Sequence, residues 1–269
     1  MEAFKWRVLN TYHAIFTGLW SMFWMSAAVV ARVVTGNSET SLRWARTKWS
    51  AGLFWACGVR TQVEGLENVD FTKPHVFVVN HQSMIDIPVM QYVLPVNIHF
   101  IAKKELLSVP FLGWYMKAAG MIPVDRKNGP EAVETLRKSA LRVAGGESVI
   151  AFAEGTRSRT GVIIPFKKGA FMLAIQAGVP VVPCAIEGAR HALPPDGFAV
   201  RPELIRVRLG KPIATVDDNG APIDRDTLIE RAHTEVVAMN VALGGRGAES
   251  VVVDMGGAPA RASTVPRAS

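Results

Sequence analysis

Two patterns of apolar and polar positions divide this chain at Gly58. Before it, long apolar stretches run at helical spacing. After it, short apolar runs alternate with amphipathic segments, the signature of strands and helices taking turns. The part before Gly58 predicts two helices, over 4–34 and 41–57, separated by the breaker TGNS at 35–38. In the second of them Leu42, Ala45, Trp49, Leu53 and Ala56 recur at helical spacing among Arg43, Arg46 and Lys48, as in an interfacial amphipathic helix. The part after Gly58 predicts strands at 61–64, 75–79, 98–102, 121–124, 148–152, 181–186 and 205–209. Helices are predicted at 87–93, 110–119, 130–144, 169–177 and 225–243. The helix at Pro130 has an expected start, with proline in its first turn and Glu131 and Glu134 near the positive end of its dipole. It stops at Gly145–Gly146. Strands alternating with helices imply an α/β sheet packed by helices. The division is therefore 1–58 for a membrane-associating helix pair, 59–243 for the α/β domain and 244–269 for a Gly-, Ala-, Ser- and Pro-rich tail expected to be mostly disordered.

Composition sharpens the N-terminal reading. The chain of 269 residues is 49% hydrophobic, with mean hydropathy +0.19. No Asp, Glu, Lys or Arg occurs from Leu9 to Ala31, and six of the seven tryptophans precede residue 56. The length just suffices to cross a bilayer, which takes roughly 20 apolar residues, but Asn10, Thr11, His13, Thr17, Ser21 and Ser26 interrupt it. A signal peptide lacks a clear small-residue cleavage site here. The reading is a helix pair that dips into one leaflet from the cytoplasmic side, with tryptophans as interfacial anchors and basic side chains near the headgroups. A pair packed on the protein's own core is the alternative. The net charge of +7 suits anionic partners. The basic residues are spread and form no nucleic-acid reader motif. Two cysteines, Cys57 and Cys184, give no disulfide framework or cysteine-rich metal site.

The candidate chemistry begins at NHQSMID, residues 80–86, directly after the apolar run HVFVV. In an unbroken helix two positions five apart lie about 140° apart and do not meet. Pro88 forbids a helix running far upstream. His81 therefore belongs to the turn after the strand, and Asp86, in the first helical turn, can reach back to it. A carboxylate on one ring nitrogen fixes the tautomer and raises the basicity of the other, which makes a general base with no serine of its own. Ser83-x-x-Asp86 also fits a helix-capping pattern with His81 as a turn residue. These seven residues alone leave both readings open.

Three further stretches join it: GMIPVDR at 120–126, FAEGTR at 152–157 and VPVVP at 179–183. With them, between about residues 75 and 185, the chain resembles the lysophosphatidic acid acyltransferases (1-acyl-sn-glycerol-3-phosphate acyltransferases). That family's order is NHxxxxD, a strand ending in arginine, FPEGTR and a VPxxP-like run. Ala153 stands where the family has proline, which removes no functional group. The resemblance implies a glycerolipid acyltransferase-like fold, a mixed sheet flanked by helices. It implies His81 as general base and Asp86 as its orienting partner, with Glu154, Gly155, Thr156 and Arg157 as the acceptor-binding turn, in which Glu154 is read either as a substrate contact or as a residue that holds the loop or a neighbouring arginine. Arg126 and Lys104 are further phosphate candidates, Arg126 being as well suited to anchoring its own loop. The implied reaction moves an acyl chain from acyl-CoA or acyl-carrier protein to the sn-2 hydroxyl of lysophosphatidic acid. It needs no cofactor or metal. Another acceptor (a different lysophospholipid, glycerol 3-phosphate or a lyso-aminolipid) or a non-catalytic lipid-binding protein of the same fold are the alternatives. His75, His99, His191 and His233 lack a close acidic partner in sequence and are read as structural or exposed.

Overall fold

A computed structural model of the chain describes residues 2–217 and 219–248. Helix α1 (Glu2–Thr35) turns at residues 36–38 into α2 (Glu39–Trp44), which continues through a π-helical turn (Ala45–Trp49) into α3 (Ser50–Cys57). The expected second helix is thus one rod with a π-turn inserted, and the basic residues Arg46 and Lys48 lie in that turn. Gly58, in the left-handed conformation, ends it.

Seven strands follow where seven were expected: β1 (Arg60–Glu64), β2 (Val76–Val79), β3 (Ile98–Lys103), β4 (Ile122–Val124), β5 (Ser148–Phe152), β6 (Val181–Glu187) and β7 (Leu204–Leu209). Between and after them run α4 (Asp86–Val93), α5 (Leu112–Ala118), α6 (Gly129–Ala144), α7 (Gly169–Ala177), a single turn α8 (Ala189–Ala192) and α9 (Arg225–Ala242). The sequence pattern did not predict α8. The strands form one sheet in the order β1-β7-β6-β2-β5-β3-β4. Every pair is parallel except β6 with β7, so the sheet is mixed.

The central strand explains the two-sided core. Val76 to Val79 are fully buried; Phe77 and Val79 join one apolar cluster and Val76 and Val78 the other, because successive side chains point to opposite faces. Helices α3, α4 and α5 supply the first cluster, through Phe54, Met90 and Met116. Helices α6, α7 and α9 supply the second, through Leu136, Phe171 and Leu228. This covering of both faces is what a largely parallel sheet requires.

The tail expectation from residue 249 onward lies outside the described residues. Residues 244–248 depart from it: they fold back on α9, where Gly247 N–H donates to Asn240 Oδ1 at 3.1 Å, Gly247 O accepts from Ile163 N–H at 2.8 Å and Ala248 is buried. Backbone hydrogen bonds hold what composition alone marked as loose.

The N-terminal segment is built inside out. Large apolar side chains of α1, among them Phe4, Ile15, Leu19, Phe23, Val30 and Val33, are exposed, while His13 is buried. Among the described residues one helix, Phe4–Thr35, is long and apolar enough to cross a membrane, with a hydropathy of 1.6. Four of the expected tryptophan anchors have a different post: Trp20, Trp24, Trp44 and Trp49 fasten α1 to the second rod. Trp24 meets Trp44 edge-on, Trp20 Nε1 donates to Trp49 O, and Trp49 Nε1 donates to Ser21 Oγ. Gly52 makes this approach possible, since a Cβ there would lie 2.4 Å from the Trp20 ring.

Candidate active site

Parallel strands carry their following turns to one edge of the sheet. β4, β3, β5, β2 and β6 are neighbours in that order, so the turns after them form a row. Asp125 and Arg126 follow β4, Lys104 follows β3, Ala153 to Arg157 follow β5 and Asn80 to Asp86 follow β2. Glu187 ends β6. Topology, rather than any local feature, brings three of the four sequence motifs together, while VPVVP opens β6 beside Val76 at the opposite edge.

At the centre, Asp86 Oδ2 lies 2.7 Å from His81 Nδ1. The same oxygen accepts from Gln82 N–H at 2.7 Å and Ser83 N–H at 2.8 Å. The two readings of NHQSMID are therefore not rivals, because one carboxylate oxygen both caps the turn and orients the imidazole. Asp86 is fully buried, and three N–H donors are what sustain a carboxylate away from water. The imidazole stacks on Phe152, with ring centroids 4.1 Å apart and planes at 15°. A carboxylate at Nδ1 favours the tautomer that carries its proton on Nδ1 and its lone pair on Nε2. Among the described residues Nε2 has no hydrogen-bond partner.

Asn80 explains how the chain leaves the sheet here. Its side-chain amide takes over the ladder that β2 abandons: Nδ2 donates to Ile186 O at 3.0 Å, and Oδ1 accepts from Ile186 N–H at 2.8 Å. Sequence reasoning did not assign Asn80 a role, although it stands beside the histidine.

Glu154, expected at the acceptor, is elsewhere engaged. It is fully buried, Oε1 accepts from His81 N–H at 2.7 Å and Oε2 from Ile164 N–H at 3.1 Å. Both oxygens accept from backbone amides, so Glu154 ties the histidine turn to the loop after β5. Burial pushes its pKa up to about 7, against the pull of the two amides and with a small push from Asp86.

Gly155, with φ +73°, turns the chain sharply after Glu154. Its carbonyl accepts from Arg126 Nη1, so GMIPVDR and FAEGTR touch through this contact, while Arg126 itself is exposed. Thr156 is exposed and Arg157 half-buried, with Arg157 Nη1 donating to Pro195 O at 3.1 Å. The loop is fastened to the histidine a second time, as Ser158 N–H donates to His81 O at 2.7 Å. Lys104 departs from expectation. It is bound to Glu131 and lies 3.7 Å from Asp125, so two carboxylates already claim its charge. Arg126 and Arg157, by contrast, have no carboxylate partner among the described residues. No group of three or more metal-ligating side chains occurs among the described residues.

Residues 60–187 match the family model described as Acyltransferase. The 1-acyl-sn-glycerol-3-phosphate acyltransferase of Saccharomyces cerevisiae is 38% identical over 161 residues, 59% of this chain and 53% of that one. The chain thus spans about half the length of that relative. The human 1-acyl-sn-glycerol-3-phosphate acyltransferase alpha is 30% identical over 241 residues, covering 88% of this chain and 84% of the human one. Among solved structures, the crystal structure of the 1-acyl-sn-glycerophosphate (LPA) acyltransferase PlsC from Thermotoga maritima superposes with a TM-score of 0.75 at 25% identity, covering 91% of this chain and 99% of the other.

Proposed function

The chain belongs to the 1-acyl-sn-glycerol-3-phosphate acyltransferase family, and from that premise we propose that it transfers a fatty acyl group from an acyl thioester, acyl-CoA or acyl-carrier protein, to the sn-2 hydroxyl of lysophosphatidic acid, forming phosphatidic acid. The observation that carries this reading is the His81–Asp86 pair, 2.7 Å apart, with Nε2 left unpaired at the edge of the sheet.

In this reaction His81 Nε2 takes the proton of the acceptor hydroxyl as its oxygen attacks the thioester carbonyl carbon. Asp86 stabilises the imidazolium that forms. The tetrahedral intermediate collapses, the carbon–sulfur bond breaks, and the proton passes from His81 to the departing thiolate. The products are the ester and a free thiol, and the base is regenerated without a covalent enzyme intermediate. Arg157 and Arg126 hold the acceptor phosphate, for which a guanidinium fork is suited, and Gly155 and Thr156 shape the turn that receives it. The helix pair embeds in the cytoplasmic leaflet, where both the acceptor and the product reside. The exposed apolar face of α1 and the exposed Trp55 support that placement.

The test is an assay of purified protein in mixed micelles with a panel of labelled acyl thioesters and lysophospholipids, read by mass spectrometry. Acylation of lysophosphatidic acid is expected, and its loss in His81→Ala while vesicle binding persists. Transfer at near wild-type rate in His81→Ala rejects the base, and binding without turnover in the wild type rejects the enzyme.

A further inference from the structure

Glutamate followed by glycine ends two strands of this sheet, Glu154–Gly155 after β5 and Glu187–Gly188 in β6. β5 and β6 are the two neighbours of β2, whose end carries His81. Both glutamates are buried, and both glycines take the left-handed conformation, φ +73° and +91°. Each glutamate grips one side of the histidine turn. Glu154 Oε1 accepts from His81 N–H, and Glu187 Oε2 accepts from Gln82 Nε2 at 3.0 Å. Among the described residues Glu187 has no ion-pair partner. Its second donor is Asn240 Nδ2, also at 3.0 Å, from a fully buried residue near the end of α9.

The connection does not stop there. Asn240 Oδ1 accepts from Gly247 N–H, Gly247 O accepts from Ile163 N–H, and the next amide, Ile164 N–H, donates to the other oxygen of Glu154. With the peptide bonds 81–82 and 163–164, these contacts close a ring: His81, Glu154, Ile164, Ile163, Gly247, Asn240, Glu187, Gln82 and back to His81. The C-terminal turn is shaped for it. A Cβ on Gly245 would lie 2.2 Å from Asn240 Oδ1, and one on Gly247 would lie 2.7 Å from Val241 Cγ2. Only glycine lets the chain cross this closely over the Asn240 amide. Asn240 and residues 244–248 fall beyond the region matched by the family model, which ends at residue 187.

We infer that Glu187 and Asn240 are positioning residues for the acyl transfer, and that residues 244–248 form a clamp coupling the end of α9 to both the His81 turn and the loop bearing Arg157. The inference rests on the reaction proposed above. A base must be held to within a fraction of an ångström, and a misplacement of about 1 Å can cost on the order of a hundredfold in rate. The ring supplies that hold from outside the motifs. It fixes Gln82, whose backbone N–H is one of the three donors on Asp86 Oδ2, and Ile163 and Ile164, which follow Arg157 in its loop.

The test measures kcat, KM for lysophosphatidic acid and thermal midpoint for the full chain and four variants in mixed micelles. Glu187→Ala is expected to lower kcat about tenfold with KM nearly unchanged. Glu187→Gln keeps an oxygen for both amides and is expected within about threefold of the wild type. Gly245→Val drives a side chain into Asn240 and is expected to raise the acceptor KM severalfold, with faster hydrogen–deuterium exchange over residues 158–165. Val236→Ala, buried on α9 with no link to the ring, sets the cost of destabilisation alone. Wild-type kinetics in Glu187→Ala and Gly245→Val overturn the inference, as does an equal loss in Val236→Ala at a matched thermal midpoint. Absence of transfer in the wild type would instead strike the proposed reaction, and exchange over residues 158–165 in Gly245→Val would still decide whether the ring holds the loop.

Discussion

Helix α1 and the carboxyl edge of the sheet both invert the usual rule of burial, in opposite senses. On α1 the apolar side chains Ile15, Leu19, Phe23 and Val30 face outward and a histidine lies inside. At the sheet edge Asp86, Glu154, Glu187 and Asn240 are buried among other polar groups such as Asn80 and Gln82. The first arrangement needs a different solvent, because apolar area is stabilised only when removed from water, by about 25 cal/mol per Å². The second needs a complete set of donors, because an unpaired buried carboxylate is among the costliest groups a protein can hold. Helix α1 is therefore adapted to its surroundings and the sheet edge to its own neighbours. Changes on α1 should be felt in where the protein sits, and changes at the edge in what it does.

The sharpest break of this comparison is Asp86→Asn. Asparagine can present its oxygen to His81 Nδ1, Gln82 N–H and Ser83 N–H, and its amide would occupy the side where Asp86 Oδ1 has no partner. The turn should persist, with a modest fall in thermal midpoint. The imidazolium loses its anionic partner, so kcat should fall about a hundredfold or more. Steady-state kinetics beside a thermal melt separate the two effects. A variant that unfolds but keeps its rate per folded molecule would make Asp86 a cap only.

This pair was the most legible part of the site, and the reason is local. His81 and Asp86 are five residues apart, Pro88 fixes where the helix starts, and steric rules leave few ways to join them. The seven strands and most helices were legible for the same reason, since each is written in its own hydrophobic period. Glu154 was not. Its side chain reads either as a ligand or as a loop anchor in FAEGTR, and only the parallel pairing of β5 with β2 shows that His81 N–H stands within its reach. Lys104 looked free because Glu131 lies on α6, 27 residues later. Asn240 carried no signal at all. The one clue to Glu187 was its repetition of the strand-Glu-Gly pattern of residues 152–155, and that clue acquires meaning only when β5 and β6 are known to flank β2.

A smaller effect is expected on α1. Leu19 and Val30 are eleven residues apart, three turns along one face, and are 64% and 61% exposed. Changing both to serine removes two apolar contacts worth roughly 1.5–3 kcal/mol each if they are buried in lipid. Binding to anionic vesicles, followed by co-sedimentation, should weaken at least tenfold, while turnover of a short-chain acceptor in detergent stays near wild type. Retention of full vesicle affinity would place the membrane contact elsewhere on the molecule. Loss of turnover in detergent would mean that α1 supports the sheet edge after all.

The smallest effect concerns the cost of polar burial itself. Glu154 titrates at about 7 in the fold against an ordinary 4.5, because burial opposes its charge. A raised carboxyl pKa means that the folded protein holds a proton the unfolded chain has released between those values. Stability should then fall as pH rises from about 4.5 to about 7 and level off on either side. Glu154→Gln removes this titration at a pH-independent cost, since the new amide NH2 would face a backbone N–H donor. Urea unfolding in detergent at pH 4.5, 6 and 8 should show wild type losing its advantage over the variant step by step. Parallel curves would mean that the amides of His81 and Ile164 stabilise the carboxylate as fully as water does, and the contrast between the two regions would then rest on hydrogen bonding alone, with no residual electrostatic cost at the sheet edge.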